Sequence, residues 1–252
     1  MRSMRTVNPR FLRGLIRARA TNGEPVRCDV FPAFANVVTG GVRFGASLCA
    51  PTRIFKNMFT GIVTGIGRVV RAVPREKGLR LTIDAGALDL KDIGIGDSIA
   101  VNGVCLTVVS SAGGQFDVDV SQETIDCTVG LGATGSVNLE KSLRLADRLG
   151  GHLVAGHVDG VGQVIAFDRV GESRRLVVRA PRELAKYIAR KGSITVQGVS
   201  LTVNRVEGTD FEVNLIPHTL ETTTLQQLAP GAQVNLEADL IARYVERMLD
   251  SE

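Results

Sequence analysis

From Met58 onward the chain alternates apolar and polar residues in short runs, the period of a strand with one buried face. FDVDV at 116–120 and FEVNL at 211–215 follow it, as do Leu79, Leu81 and Ile83 with Arg80, Thr82 and Asp84 between them. Glycine-containing turns such as GIGD at 94–97 and AGG at 112–114 separate the runs. The spacing predicts about six short strands per module, enough for a small closed antiparallel barrel. Helical periodicity is confined to two places. Pro181 followed by RELAKYIARKG predicts a short helix with proline in its first turn and Gly192 at its end. In ADLIARYVERMLDSE, the residues Leu240, Ile241, Tyr244, Val245, Met248 and Leu249 share one helical face, opposite Arg243, Glu246, Arg247 and Asp250. That face either caps its own barrel or meets another chain. A terminal helix after a closed barrel has little left to cover, which favours the second.

The strand pattern occurs twice. DSIAVNGVCLTV at 97–108 returns as GSITVQGVSLTV at 192–203, an offset of 95 residues. At the same offset GIVTGIGRV at 61–69 faces GHVDGVGQV at 156–164, Phe116 faces Phe211 and Thr124 faces Thr219. VNLEKSL at 137–143 faces VNLEADL at 234–240 at an offset of 97. Two tandem modules follow, over 58–154 and 155–252.

Composition places the charge rather than adding to the fold. The net charge of +4 comes from residues 1–57, which hold ten Lys and Arg against Glu24 and Asp29 and leave 20 basic against 24 acidic residues in the remainder. The body is mildly acidic, so no nucleic-acid partner is expected. No apolar run approaches the roughly 18 residues that would suggest a membrane span, and no membrane partner is expected. The Arg-rich stretch 1–57 lacks strand or helix periodicity. It reads as an extension upstream of a true start at Met58, as an organelle transit peptide, or as a disordered arm. Four cysteines, at 28, 49, 105 and 127, form no C-x-x-C pair, and the histidines, His152, His157 and His218, lack the spacing of a helical metal pair. No metal, no cofactor and a reducing cytoplasm are expected.

MFTGIVTGIGRV from Met58, NGVCLTV at 102–108, GGHLVAGHVDG at 150–160, GVSLTVN at 198–204 and LIPHTLETTTL at 215–225 together resemble the riboflavin synthase α chain family. The resemblance covers 58–252 and none of 1–57. It implies a mainly β fold of two tandem six-stranded antiparallel Greek-key β-barrels plus a C-terminal amphipathic helix, assembled as a homotrimer. The implied reaction is a dismutation of 6,7-dimethyl-8-ribityllumazine, one molecule giving a four-carbon unit to another to yield riboflavin and 5-amino-6-(ribitylamino)uracil, without a cofactor. A reaction between two copies of one substrate needs two similar pockets, which a duplicated module supplies. The implied active site lies between the first barrel of one chain and the second barrel of its neighbour.

The same resemblance implies the contacts. In the first module they are Gly61, Ile62, Val63, Cys105, Leu106, Thr107, Asp119, Val120, Ser121, Gln122, Glu123 and Thr124. In the second they are Gly156, His157, Val158, Lys191, Ser200, Leu201, Thr202, Ile216, Pro217, His218, Thr219 and Leu220. His157 is the expected proton carrier, since imidazole titrates near neutral pH. Ser200, Thr202 and Cys105 are candidates to orient or add to C7 of the partner ring, and Asp239 is a further candidate, alternatively a helix N-cap. His152 reads as structural. The differences between copies, Cys105 against Ser200, Ile62 against His157, Glu123 against His218 and Asn102 against Gln197, are expected to separate donor from acceptor. A non-catalytic lumazine- or flavin-binding protein of the same fold is the rival reading.

Overall fold

The computed structural model describes residues 58–250; the extension 1–57 lies outside them. The first barrel contains β1 (Gly65–Arg75), β2 (Gly78–Asp84), β3 (Ser98–Val101), β4 (Val104–Ala112), β5 (Gln115–Ser121) and β6 (Gly135–Lys141), with helix α1 (Gln122–Cys127) between the last two. The second contains β7 (Gly160–Val170), β8 (Ser173–Arg179), β9 (Ser193–Val196), β10 (Val199–Glu207), β11 (Asp210–Leu215) and β12 (Gln233–Ala238). Helices α2 (Arg182–Ala185) and α3 (Pro217–Thr222) interrupt it, and α4 (Leu240–Leu249) follows it.

Both barrels close, antiparallel throughout, in the order β1-β2-β5-β4-β3-β6 and its equivalent in the second copy. Three hairpin-linked strands with the preceding strand returning beside the last make each a Greek key. Bulges bend the long strands at Val69/Arg71 and Val108/Ser110, and again at Val164/Ala166 and Val203/Arg205. A sheet this small closes only if its strands bend, and the bulges supply the bend at equivalent places in each copy. Phe116 and Phe211 lie in the two cores, each only 1% exposed.

The expected helix after Pro181 shrinks to Arg182–Ala185, with Pro181 as its N-cap. The chain then reaches Lys191 in a left-handed conformation, φ 68°, where a helix cannot continue. The C-terminal helix forms as expected, yet buries none of its residues: Tyr244 is 66%, Met248 75% and Leu249 73% exposed. Its apolar face does not cap its own barrel.

A polar seam joins the barrels. In Val137–Glu140 and Val234–Glu237 valine and leucine point into their cores, so Asn138, Glu140, Asn235 and Glu237 point outward, where all four are buried. Asn138 donates Nδ2–H to the Gln197 carbonyl (2.8 Å) and Asn235 donates to the Asn102 carbonyl (3.0 Å). Asn102–Gly103 and Gln197–Gly198 are two-residue hairpin turns with positive φ throughout, and their glycines meet back to back. A Cβ on Gly103 would stand 2.8 Å from the Gly198 backbone nitrogen.

Candidate functional site

The segments that precede β1 and β7 cross between barrels. Phe59 and Val154 pair antiparallel, Phe59 N–H to the Val154 carbonyl at 2.7 Å and Val154 N–H to the Phe59 carbonyl at 3.1 Å. Beyond this pair the Gly61 carbonyl accepts the Ser200 N–H of the second barrel, and the Gly156 carbonyl accepts the Cys105 N–H of the first, both at 2.8 Å. Val63 packs on the second core and Val158 on the first. The approach is so close that a Cβ on Gly61 would lie 2.6 Å from Ser200 Cβ, and one on Gly156 would lie 2.7 Å from Cys105 Cβ. The expected grouping is corrected here. Gly61, Ile62 and Val63 lie with Ser200, while Gly156, His157 and Val158 lie with Cys105. A repeat in sequence looks the same whether or not the leading segments are exchanged, so only the pairing reveals it.

At the first barrel, Cys105 is half-buried on β4, Thr107 is exposed, and Leu106 points into the core. Asp119 is engaged by Arg80 through two bonds of 2.7 and 2.6 Å, and Val120 faces inward. Ser121 caps α1 by accepting the Thr124 N–H (3.1 Å), while Gln122 donates to Asp126. Glu123 is exposed in the first turn. His157 is exposed and lines a cavity of about 620 Å³ beneath α4, shared with Glu237, Arg243 and Tyr244.

At the second barrel, Ser200 Oγ lies 2.7 Å from His152 Nδ1, and His152 Nε2 lies 3.3 Å from Thr195 Oγ1. Thr195 sits opposite Ser200 in the β9–β10 register. The equivalent positions in the first barrel are Ala100 and Cys105, so this hydroxyl–imidazole–hydroxyl array has no copy there. Thr202 is exposed on the same strand, with Leu201 inside. Ile216 precedes α3, Pro217 is its first residue, and His218 and Thr219 follow, with Leu220 packed on the core. Lys191 is exposed where the first copy has Gly96. Asp239 caps α4, its Oδ1 accepting the Ile241 N–H at 3.0 Å.

The electrostatics separate the two sites. Burial pushes His152 below its ordinary value, opposed by the Asp239 carboxylate, so the ring beside Ser200 is neutral near pH 7. Burial pushes the Cys105 thiol up, opposed by a hydrogen bond with Ser98 and reinforced by the charge of Glu237. The thiolate is the nucleophilic form, and this environment disfavours it. Burial also lifts Glu140 to about 6 and Glu237 to about 7.

The structural expectation for His152 misses its contact with Ser200. Residues 151–154 alternate exposed Gly151 and Leu153 with buried His152 and Val154, a strand period that pointed the imidazole inward. Asn102 and Gln197, expected to separate donor from acceptor, have their side chains engaged between the barrels. They sit in the seam, where Asn102 Oδ1 accepts the Asn138 N–H and Gln197 Oε1 the Asn235 N–H.

Comparison with known proteins gives the two copies a common identity. The lumazine binding domain family matches residues 60–142 and again 155–239. Riboflavin synthase of Mycobacterium tuberculosis (strain CDC 1551 / Oshkosh) is 50% identical over 200 residues, covering 77% of this chain and 99% of that protein. The Brucella abortus (strain 2308) riboflavin synthase is 45% identical, covering 76% and 98%. Among solved structures, LumP complexed with 6,7-dimethyl-8-(1'-D-ribityl) lumazine is 26% identical, with a TM-score of 0.63, over 71% of this chain and 98% of that one. With two such modules in one chain and 50% identity over the 200 residues aligned to an enzyme matched almost end to end, the chain belongs to the riboflavin synthase family.

Proposed function

We infer that the chain converts two molecules of 6,7-dimethyl-8-ribityllumazine to riboflavin and 5-amino-6-(ribitylamino)uracil. The reaction moves a four-carbon unit from one ring to an identical ring, so it needs two related niches. The observation that carries the reading is the pair of equivalent surfaces, each built from one barrel and the segment lent by the other, with different chemistry at Ser200 and Cys105. Holding both rings in attack geometry replaces a bimolecular encounter, an effect worth up to about 7 to 11 kcal/mol.

In this reading neutral His152 donates Nε2–H to Thr195 and accepts the Ser200 proton at Nδ1, which readies the serine oxygen, or a water it holds, for C7 of one ring. His157 at the other surface takes the proton from the acidic C7 methyl of the partner ring. Cys105 orients its ring without attacking, consistent with a protonated thiol. Threonine hydroxyls of Thr107 and Thr202 and the polar residues beside α1 and α3 suit the ribityl chains. Lys191 completes the second surface. The exposed face of α4 is the trimer contact, and trimerisation brings the first surface of one chain against the second of its neighbour.

Incubating the protein with 6,7-dimethyl-8-ribityllumazine and following flavin absorbance tests the reading. Riboflavin formation in the absence of any added cofactor is expected. Tight binding without turnover would establish the rival, a non-catalytic binder.

A further inference from the structure

We propose that Glu140 and Glu237 are positioning residues, each using both carboxylate oxygens to hold the segment that its own barrel lends to the other barrel's pocket. The proposal rests on reading the two surfaces as the paired lumazine sites. Glu140 Oε1 accepts both the N–H and the Oγ1–H of Thr60 at 2.7 Å, and its Oε2 accepts the Gly61 N–H at 3.0 Å. Glu237 repeats the arrangement, with Oε1 accepting the Ala155 N–H at 2.7 Å and Oε2 the Gly156 N–H at 3.0 Å. The clamped residues are those that reach across: the Gly61 carbonyl receives Ser200, the Gly156 carbonyl receives Cys105, and His157 follows Gly156 directly.

A buried carboxylate is costly, and both glutamates are nearly inaccessible, 6% and 5% exposed. The donor count explains why a carboxylate stands here. N–H groups converge on both oxygens, and only an ionised carboxyl accepts at both; a glutamine would turn an NH2 group against one of them. The barrels themselves do not need the clamp, since Val137 and Leu139, and Val234 and Leu236, supply the inward contacts of the same strands.

The test is a double-substitution cycle with Glu237→Gln and His157→Gln, joined to amide hydrogen exchange. Glu237→Gln is expected to lower kcat about tenfold or more in the unaltered background and less than about twofold beside His157→Gln, because its effect passes through that histidine. Amides of 155–157 should exchange at least about tenfold faster in Glu237→Gln while those of 60–62 are unchanged, with the reverse in Glu140→Gln. Unchanged exchange, or equal kcat losses in both backgrounds, would overturn the proposal. If Glu237→Gln does not fold, Glu140→Gln against Ser200→Ala decides the same point at the other pocket. An unaltered chain that forms no riboflavin would sink the functional reading alone, and the exchange measurements would still decide whether the carboxylates hold the segments.

Discussion

Ser200 and Cys105 occupy equivalent places in the two copies, but only Ser200 has an imidazole at hydrogen-bonding distance. In the proposed reaction that difference puts nucleophile activation at the second barrel. Ser200→Ala and His157→Gln should each slow single-turnover riboflavin formation by about a hundredfold or more, whereas Cys105→Ser should cost less than about tenfold. A Cys105→Ser loss equal to that of Ser200→Ala would move the nucleophile to the first barrel. The two buried glutamates make a separate prediction about pH. Their folded values, about 6 and about 7, lie above the usual 4.5, so the folded chain binds protons that the unfolded chain has released. Their contribution to stability is complete below about pH 4.5 and is lost as pH rises to about 7, by roughly 3 to 5 kcal/mol as an order of magnitude. His152, held below its ordinary value near 6.5, contributes the opposite slope as pH falls below about 6.5. Urea unfolding at pH 5 and pH 8 should therefore show a smaller loss of stability with rising pH in Glu237→Gln than in the unaltered chain; equal losses would show that Glu237 takes up no proton on folding.

Among the elements, the stretch after Pro181 shows how a local signal yields to its surroundings. The sequence has the composition of a helix through Arg190, yet the Lys191 N–H bonds to the Val203 carbonyl at 2.7 Å, tying the chain to β10. That bond requires the left-handed conformation, which glycine adopts freely at Gly96 in the first copy and lysine does not. Lys191→Gly should raise stability by about 0.5 to 1 kcal/mol and also raise KM, as measured by urea unfolding and steady-state kinetics. A gain in stability with unchanged KM would remove Lys191 from the pocket. The terminal helix belongs to the same scale. Its periodicity foretold an apolar face, and the fold leaves that face open. If this face is the proposed trimer contact, Met248→Lys should reduce the particle to a single chain in light scattering, abolish turnover, and leave the barrels' circular dichroism unchanged.

For the whole molecule, the seam makes two barrels one unit. Gly103 and Gly198 meet without room for a methyl group, and both have positive φ. Gly198→Ala should therefore destabilise the chain by about 3 kcal/mol or more and separate the unfolding of the two halves, observable as a second calorimetric transition. A single unchanged transition would show that the seam is not what couples them.

The duplicated pattern alone determined the two closed barrels, the strand faces and the amphipathic end. These depend on period, and period is a property of neighbouring residues along the chain. The VNLE motif is visible twice, but alternation alone does not say what its outward-facing Asn and Glu meet; only packing one barrel against the other buried them. In the same way, sequence named His157, Ser200 and Thr202 through a resemblance, and left His152 aside. Which barrel receives Gly61 and which receives Gly156 was decided by tertiary structure, because exchange of two equivalent segments changes contacts between residues about 50 to 140 apart and changes no local propensity at all.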